Sequence, residues 1–279
     1  MSTARPPESA QHRSSKSEGN PGSTARPPAR PLLQIDKLVK RYGGLLATDH
    51  VTLALQGGEL HAIIGPNGAG KTTLIGQLGG EVKPDSGSIS FDGHDITALP
   101  SADRALRGLA RSFQITSVFP EFTVLQNVVL AMQAHCGHSF GFWKPVLQQA
   151  ELVEPALRAI GQAGLRHRTD APVAELAHGE RRQLELAMVL VARPKLLLLD
   201  EPMAGMSHQE SGKVVDLLAG LKGDYTILLI EHDMDAVFAL ADRISVLVNG
   251  GIVASDQPAA IRVNEQVRMA YLGDEELPS

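Results

Sequence analysis

Cysteine is almost absent: Cys136 is the only one in 279 residues, which excludes an internal disulfide framework. The first residues lack the cationic segment, apolar stretch and cleavage pattern of a secretory signal, so the cytosol is the expected compartment. Long hydrophobic runs are missing as well. An aliphatic stretch such as KLLLLDEP, residues 195–202, falls far short of the ~20 residues a membrane-spanning helix needs, so any membrane role has to come through a partner. An excess of positive charge is also lacking. A formal net charge of -5 offers no cationic field for nucleic acid, and no nucleic-acid partner is expected.

What is present is an ordinary globular composition, 43% hydrophobic and 20% charged, in a chain long enough for one large α/β domain with an insertion. Residues 1–31 are rich in Pro, Ser, Arg and Gly and repeat STARPP at Ser2–Pro7 and Ser23–Pro28, which predicts a disordered tail. Order is expected from Leu32. There LLQIDKLV and then VTLALQ alternate apolar and polar residues like strands of a half-exposed antiparallel sheet, whereas ELHAIIG is a continuous apolar run ending in a loop.

Between Gln114 and Glu175, TVLQNVVLAMQ and EPALRAIGQAGL place apolar residues at helical spacing, predicting an inserted helical subdomain over about 115–193. Helices from about Gly179, Gln209 and Met234 then alternate with strands at Lys195–Leu199, Thr226–Ile230 and Arg243–Val248. Such alternation implies a parallel sheet covered by helices. VLVNGGIVA predicts a hairpin turning at Asn249-Gly250, and a helix over about 258–272 closes the chain.

GPNGAGKTT carries the chemistry. Gly65, four residues, then Gly70-Lys71-Thr72 is the spacing of a phosphate-binding loop between a strand and a helix. In the loop formed by Gly65, Pro66, Asn67, Gly68, Ala69 and Gly70, Gly68 and Gly70 let the backbone wrap phosphates with its N–H groups, Pro66 alone having none to give, and the helix starting at Lys71 and running through Thr73 points its positive end at them. Lys71 neutralises β and γ oxygens; the Thr72 hydroxyl faces Mg²⁺. LLLLDEP supplies the second half, a buried strand delivering Asp200 to hold the metal and Glu201 to orient or deprotonate the attacking water.

From Leu32 to about Gly273 the chain resembles the ATP-binding subunits of ABC transporters, with the expected motifs in the expected order. The resemblance implies an α/β P-loop NTPase fold: a RecA-like parallel-sheet core, an antiparallel β subdomain and the inserted helical subdomain, all within a domain spanning 32–279. It further implies that Tyr42 in KRYGG stacks on adenine, that Gln114 in RSFQI reaches Mg²⁺ and the attacking water, and that His232 in IEHDM contacts the γ-phosphate. ATP and Mg²⁺ are the implied cofactors. The implied partners are a second ATPase subunit, identical or not, two integral membrane permeases and, indirectly, a periplasmic or extracellular solute-binding protein, with the chain at the cytoplasmic face of the membrane.

LAHGERRQLELAMVL, EPMAGMSHQE, IEHDMDAVFALADRISVL and the terminal AYLGDEE are most similar to ATPases of branched-chain amino acid importers. Urea or amide importers and lipid or lipopolysaccharide exporters are the alternatives, ahead of a soluble ATPase of repair or translation. Two stretches depart from the family pattern. Ala177, His178, Gly179 and Glu180 follow Leu176 where Leu-Ser-Gly-Gly-Gln is usual, and this signature acts in trans on the ATP of the other subunit. Ser207 stands at the usual D-loop aspartate. The resemblance therefore implies an active site slowed, not abolished, by these changes, because most of the signature's grip comes from backbone N–H groups and the helix dipole.

Overall fold

A computed structural model describes residues 30–112, 118–136, 147 and 149–271; the expected tail, apart from Arg30 and Pro31, lies outside them, as does Gln114. The chain opens with a hairpin of β1 (Leu33–Tyr42) and β2 (Leu45–Leu55), whose alternating burial matches the alternating sequence. β2 reaches further back than VTLALQ suggests, to Leu45, because Arg41 and Tyr42 pair with Leu46 and Leu45 around the turn at Gly43. β3 (Leu60–Ile64) is buried along its whole length and feeds the phosphate loop, which leads into α1 (Lys71–Gly79).

The stretch after α1 holds elements that the sequence pattern does not reveal: β4 (Ser86–Phe91), β5 (His94–Asp95), α2 (Ser101–Leu106) and β6 (Leu109–Arg111). All are too short to establish a period. Then come α3 (Val124–Cys136), α4 (Ala150–Gln162) and α5 (His178–Leu190). β7 (Leu196–Asp200), α6 (His208–Leu221), β8 (Thr226–Ile230), α7 (Met234–Leu240), β9 (Arg243–Val248) and β10 (Gly251–Asp256) follow. The single closing helix expected over 258–272 is instead two, α8 (Pro258–Arg262) and α9 (Glu265–Tyr271). Asn264 divides them: its Oδ1 accepts from the N–H groups of Gln266 and Val267, an arrangement that starts a new helix.

Two sheets result, one antiparallel in the order β2-β1-β4-β5 and one in the order β10-β9-β3-β8-β7-β6. In the second, β9, β3, β8, β7 and β6 run parallel and only the β10 hairpin strand is reversed. Parallel strands need cover on both faces, and they receive it. One face meets α1 and the antiparallel sheet through Ile63, Leu74, Ile75, Leu196, Leu198 and Leu228. On the other, Leu197, Leu199, Ile227 and Leu229 belong to one apolar cluster with residues of α6 and α7 and of α3, α4 and α5, so the inserted helices are continuous with the apolar cover of the sheet.

Buried polar residues tie α1 into this frame. Gln77 is fully buried and meets Thr48 Oγ1 at 3.1 Å, linking the helix to β2. Arg104 is also buried, and its Nη1 donates to the carbonyls of Gln77 and Leu78 at 2.7 Å each. A guanidinium there satisfies orphan carbonyls and complements the negative end of the helix dipole.

Candidate active site

The phosphate loop is shaped by close backbone approaches that only glycine permits. A Cβ on Gly70 (φ +104°) would fall 2.0 Å from the Ala47 carbonyl oxygen, and one on Gly65 would fall 2.1 Å from that of Leu247. The loop is thus wedged between β2 and β9. The β9–β10 turn holds it from the side: Gly250 N–H donates to Ala69 O at 2.9 Å, while Asp49 N–H donates to Gly250 O at 2.8 Å. Asn249 (φ +48°) and Gly250 (φ +82°) both adopt the left-handed conformation expected of this dipeptide.

Pro66, Asn67, Gly68 and Thr72 are exposed, so the tip of the loop and the first turn of α1 open to solvent. No side chain caps α1 and no acidic residue stands in its first turn, which leaves its N–H groups and positive dipole end free for an anion. Lys71 is buried and its ammonium donates to the carbonyls of Gly65 at 2.6 Å and Pro66 at 3.1 Å. Burial pushes its pKa down, while the nearby Glu201 and Asp200 carboxylates push it back up. These three residues, separated by some 130 positions in sequence, therefore share one electrostatic neighbourhood.

Asp200 ends β7, one residue later than the expected strand boundary, and pairs with Ile230 of β8. It is 9% exposed; burial raises its carboxyl pKa, against the pull of the Arg111 guanidinium, whose Nη2 lies 3.0 Å from Asp200 Oδ2. Glu201 follows in a left-handed conformation (φ +47°) with its N–H bonded to Ile230 O at 2.9 Å. Such a backbone state in a non-glycine residue is strained and is characteristic of functional positions. Asp200 and Thr72 are hard oxygen donors, a fit for Mg²⁺, which is generally held by one or two protein oxygens together with substrate phosphates.

Glu231 has no counterpart among the sequence expectations, although it is 1% exposed and ties together the loops after β7 and β8. Its Oε1 accepts from Met203 N–H at 2.9 Å, beyond Glu201, and its Oε2 from His232 N–H at 3.1 Å. The only sequence signal was an acid directly after a buried strand. The His232 side chain is 63% exposed, with Nδ1 3.8 Å from Glu231 Oε2. Tyr42, half exposed at the end of β1, presents its ring to solvent with Lys40 Nζ 5.5 Å from the centroid.

The signature stretch lies at the start of α5. Ala177 is the N-cap and supplies no side-chain acceptor, but its N–H donates to Glu180 Oε2 at 3.0 Å, preserving half of a capping box. Arg168 at 3.4 Å and His167 at 3.5 Å flank the Glu180 carboxylate. Gly179 faces α6, since a Cβ there would lie 3.4 Å from Glu210 Oε1, and His178 lies near enough to help hold the Glu210 carboxyl below its ordinary pKa. That depression comes chiefly from Ser207, whose Oγ donates to Glu210 Oε2 at 2.7 Å and which forms a full capping box with Glu210: its N–H donates to Glu210 Oε2 at 3.0 Å and its Oγ accepts from Glu210 N–H at 3.4 Å. Ser207 thus has a structural task as N-cap of α6.

A strand-loop-helix phosphate cradle, with a lysine and two carboxylates at the carboxyl ends of parallel strands, defines a P-loop nucleotide-binding protein. Comparison with known proteins narrows the class. The family described as ABC transporter matches residues 48–204, more than half of the chain. The "High-affinity branched-chain amino acid transport ATP-binding protein LivG" of Escherichia coli is 39% identical over 88% of this chain and 99% of its own length. The corresponding BraF protein of Pseudomonas aeruginosa is 37% identical with the same coverage. Among solved structures, the ADP conformation of an ATP-binding cassette of an ABC transporter superposes with a TM-score of 0.77 at 30% identity, covering 88% of this chain and all of that one. The chain belongs to the ABC transporter family and is one of its ATPases, in which ATP hydrolysis is coupled to transport.

Proposed function

We propose that this chain is the ATP-hydrolysing subunit of an importer for branched-chain amino acids. The observation carrying the ATPase role is the convergence of Lys71, Asp200 and Glu201 beside the uncapped N-terminus of α1. The solute class rests on the LivG and BraF relatives, which match nearly end to end. In this reading residues 32–279 form the ATPase domain and about 115–193 its helical subdomain. The chain sits peripherally at the cytoplasmic face; among the described residues no helix is long and apolar enough to cross a membrane.

ATP lies with its adenine on Tyr42 and its phosphates in the amides of Gly65–Thr73. Lys71 exchanges the Gly65 and Pro66 carbonyls for β and γ oxygens. Mg²⁺, held by Thr72 and Asp200 with Gln114, supplies charge neutralisation when bound. Glu201 orients a water and accepts its proton as the water oxygen bonds to the γ-phosphorus and the bond to the bridging β–γ oxygen breaks, leaving ADP and phosphate. His232 steadies the γ-phosphate. The N-terminus of α5 from a second ATPase subunit, at Ala177, His178, Gly179 and Glu180, closes the site from the far side, and Ser207 lies beside that junction. Two permease subunits convert closure and release into alternating access, and a solute-binding protein delivers the solute. Phe119 and Phe122, stacked at 5.3 Å and exposed, offer an apolar surface on which a permease would bear.

The test is uptake by proteoliposomes rebuilt from this chain, its copurified permeases and solute-binding protein. ATP-driven leucine uptake that disappears with Glu201→Gln supports the reading. Uptake of urea or an amide in its place, or copurification with ribosomes or DNA instead of permeases, overturns it.

A further inference from the structure

Arg111 opens the RSFQI stretch that carries Gln114 but has no assigned role of its own, yet it makes the closest cationic contact to the carboxylate proposed to hold the metal. It ends β6, the edge strand beside β7, in a register that pairs Arg111 with Leu198 and brings its side chain to the end of β7. One arm of the guanidinium, Nη2, lies 3.0 Å from Asp200 Oδ2, and the other, Nη1, bonds Glu81 Oε2 just beyond α1. The arrangement is held tightly. Arg111 is 13% and Asp200 5% exposed in their side chains, and the Arg111 Cδ lies against Gly79, where a Cβ would come within 3.4 Å.

A buried carboxylate needs a counter-charge, and Asp200 has one on its own chain. A divalent cation on the same carboxylate would stand beside a guanidinium in a region that solvent screens poorly, so the two cations oppose each other. Arg111 also has an alternative anchor in Glu81, which lets it yield Asp200 without becoming unpaired. We propose that Arg111 competes with the divalent cation for Asp200, and so sets the metal concentration at which the site loads. This rests on the assignment of Asp200 as the metal-holding residue. Arg111 is then a positioning residue and need not touch the nucleotide.

The experiment titrates Mn²⁺, as a spectroscopic substitute for Mg²⁺, into the full-length chain saturated with ADP, reading free Mn²⁺ by electron paramagnetic resonance against an ADP-only blank. Arg111→Met keeps most of the stem packed on Gly79 and removes the charge; it should tighten Mn²⁺ binding about tenfold, the scale of one hydrogen bond between charged groups. Arg111→Lys, which restores the charge, should return the affinity to within about threefold of the parent, the residual reflecting the lost bidentate fork. ADP affinity in EDTA should not change in either. Asp200→Asn should weaken Mn²⁺ binding. If Asp200→Asn weakens it while Arg111→Met leaves it unchanged or also weakens it, Arg111 does not compete and the inference is overturned while the metal assignment stands. Equal tightening by Met and Lys also overturns it, since charge would not be the agent. No effect of Asp200→Asn removes the metal assignment and the inference with it.

Discussion

His61 shows how much can hang on one side chain in a strand that reads as plainly apolar. It is fully buried in β3, with Nδ1 2.8 Å from Glu59 Oε1 and Nε2 2.7 Å from Ser245 Oγ, which in turn donates to Ser255 Oγ at 2.8 Å. An ionised carboxylate only accepts, so Nδ1 carries a proton. Glu59 also takes the Gln56 N–H at 2.7 Å. Burial works against its ionisation, but the His61 and Gln56 hydrogen bonds outweigh it and hold the carboxyl below its ordinary value of 4.5. The Glu59→Met side chain offers no oxygen, so the Gln56 N–H loses its acceptor whichever tautomer His61 adopts, costing about 2 kcal/mol at neutral pH. The ionised contribution is complete above pH 4.5 and is lost as the pH falls through the lower folded-state pKa, so the deficit should shrink in acid. Urea unfolding of both proteins at pH 7 and pH 4 measures this; a deficit independent of pH would contradict it. None of this chain was legible in sequence, because its bonded partners lie up to 184 positions apart.

At the scale of elements, legibility followed whether a motif specifies its own backbone. The phosphate loop could be placed because the glycine spacing, the flanking strand and the following helix are one geometric requirement. β7 and β8 were evident from unbroken aliphatic runs that are buried at every position. β6, with three residues, carries no period at all, and the break at Asn264 depends on a side-chain cap that reads equally well inside a helix. The signature helix lies between these cases. Its position was clear, and the structure adds that Glu180 ties back to Ala177 N–H while no hydroxyl is available at the cap. Restoring one with Ala177→Ser adds an acceptor for the first turn and a donor toward a phosphate facing it. In a Glu201→Gln background, where ATP is held without turnover, this should shift the ATP-dependent monomer-dimer equilibrium at least tenfold toward dimer. Sedimentation with and without ATP reads it, and an unchanged equilibrium would mean that this helix end does not grip the facing nucleotide.

Across the whole molecule, the two sheets share one apolar cluster in which α1 is the central helix. The phosphate loop is fixed by β2 on one side and the β9–β10 turn on the other, and a second apolar cluster joins the opposite face of the same parallel sheet to α6, α7 and the inserted helices. β7 and β8, which contribute to the apolar cluster that also holds residues of α3, α4 and α5, end at Asp200 and just before Glu231 and His232. This layering was anticipated from the alternation of strands and helices. The cation beside Asp200 was not, since nothing in RSFQI shows that its arginine turns to a carboxylate 89 positions away.

The central claim is that Lys71 captures ATP and Glu201 drives its hydrolysis. The most direct test measures radiolabelled ATP binding and phosphate release by the chain assembled with its permeases, for the parent, Lys71→Ala and Glu201→Gln. The account predicts that Lys71→Ala loses binding at least tenfold, and that Glu201→Gln binds ATP as tightly as the parent but releases phosphate at least a hundredfold more slowly, the scale of general-base catalysis. Phosphate release by Glu201→Gln at the parental rate would contradict it.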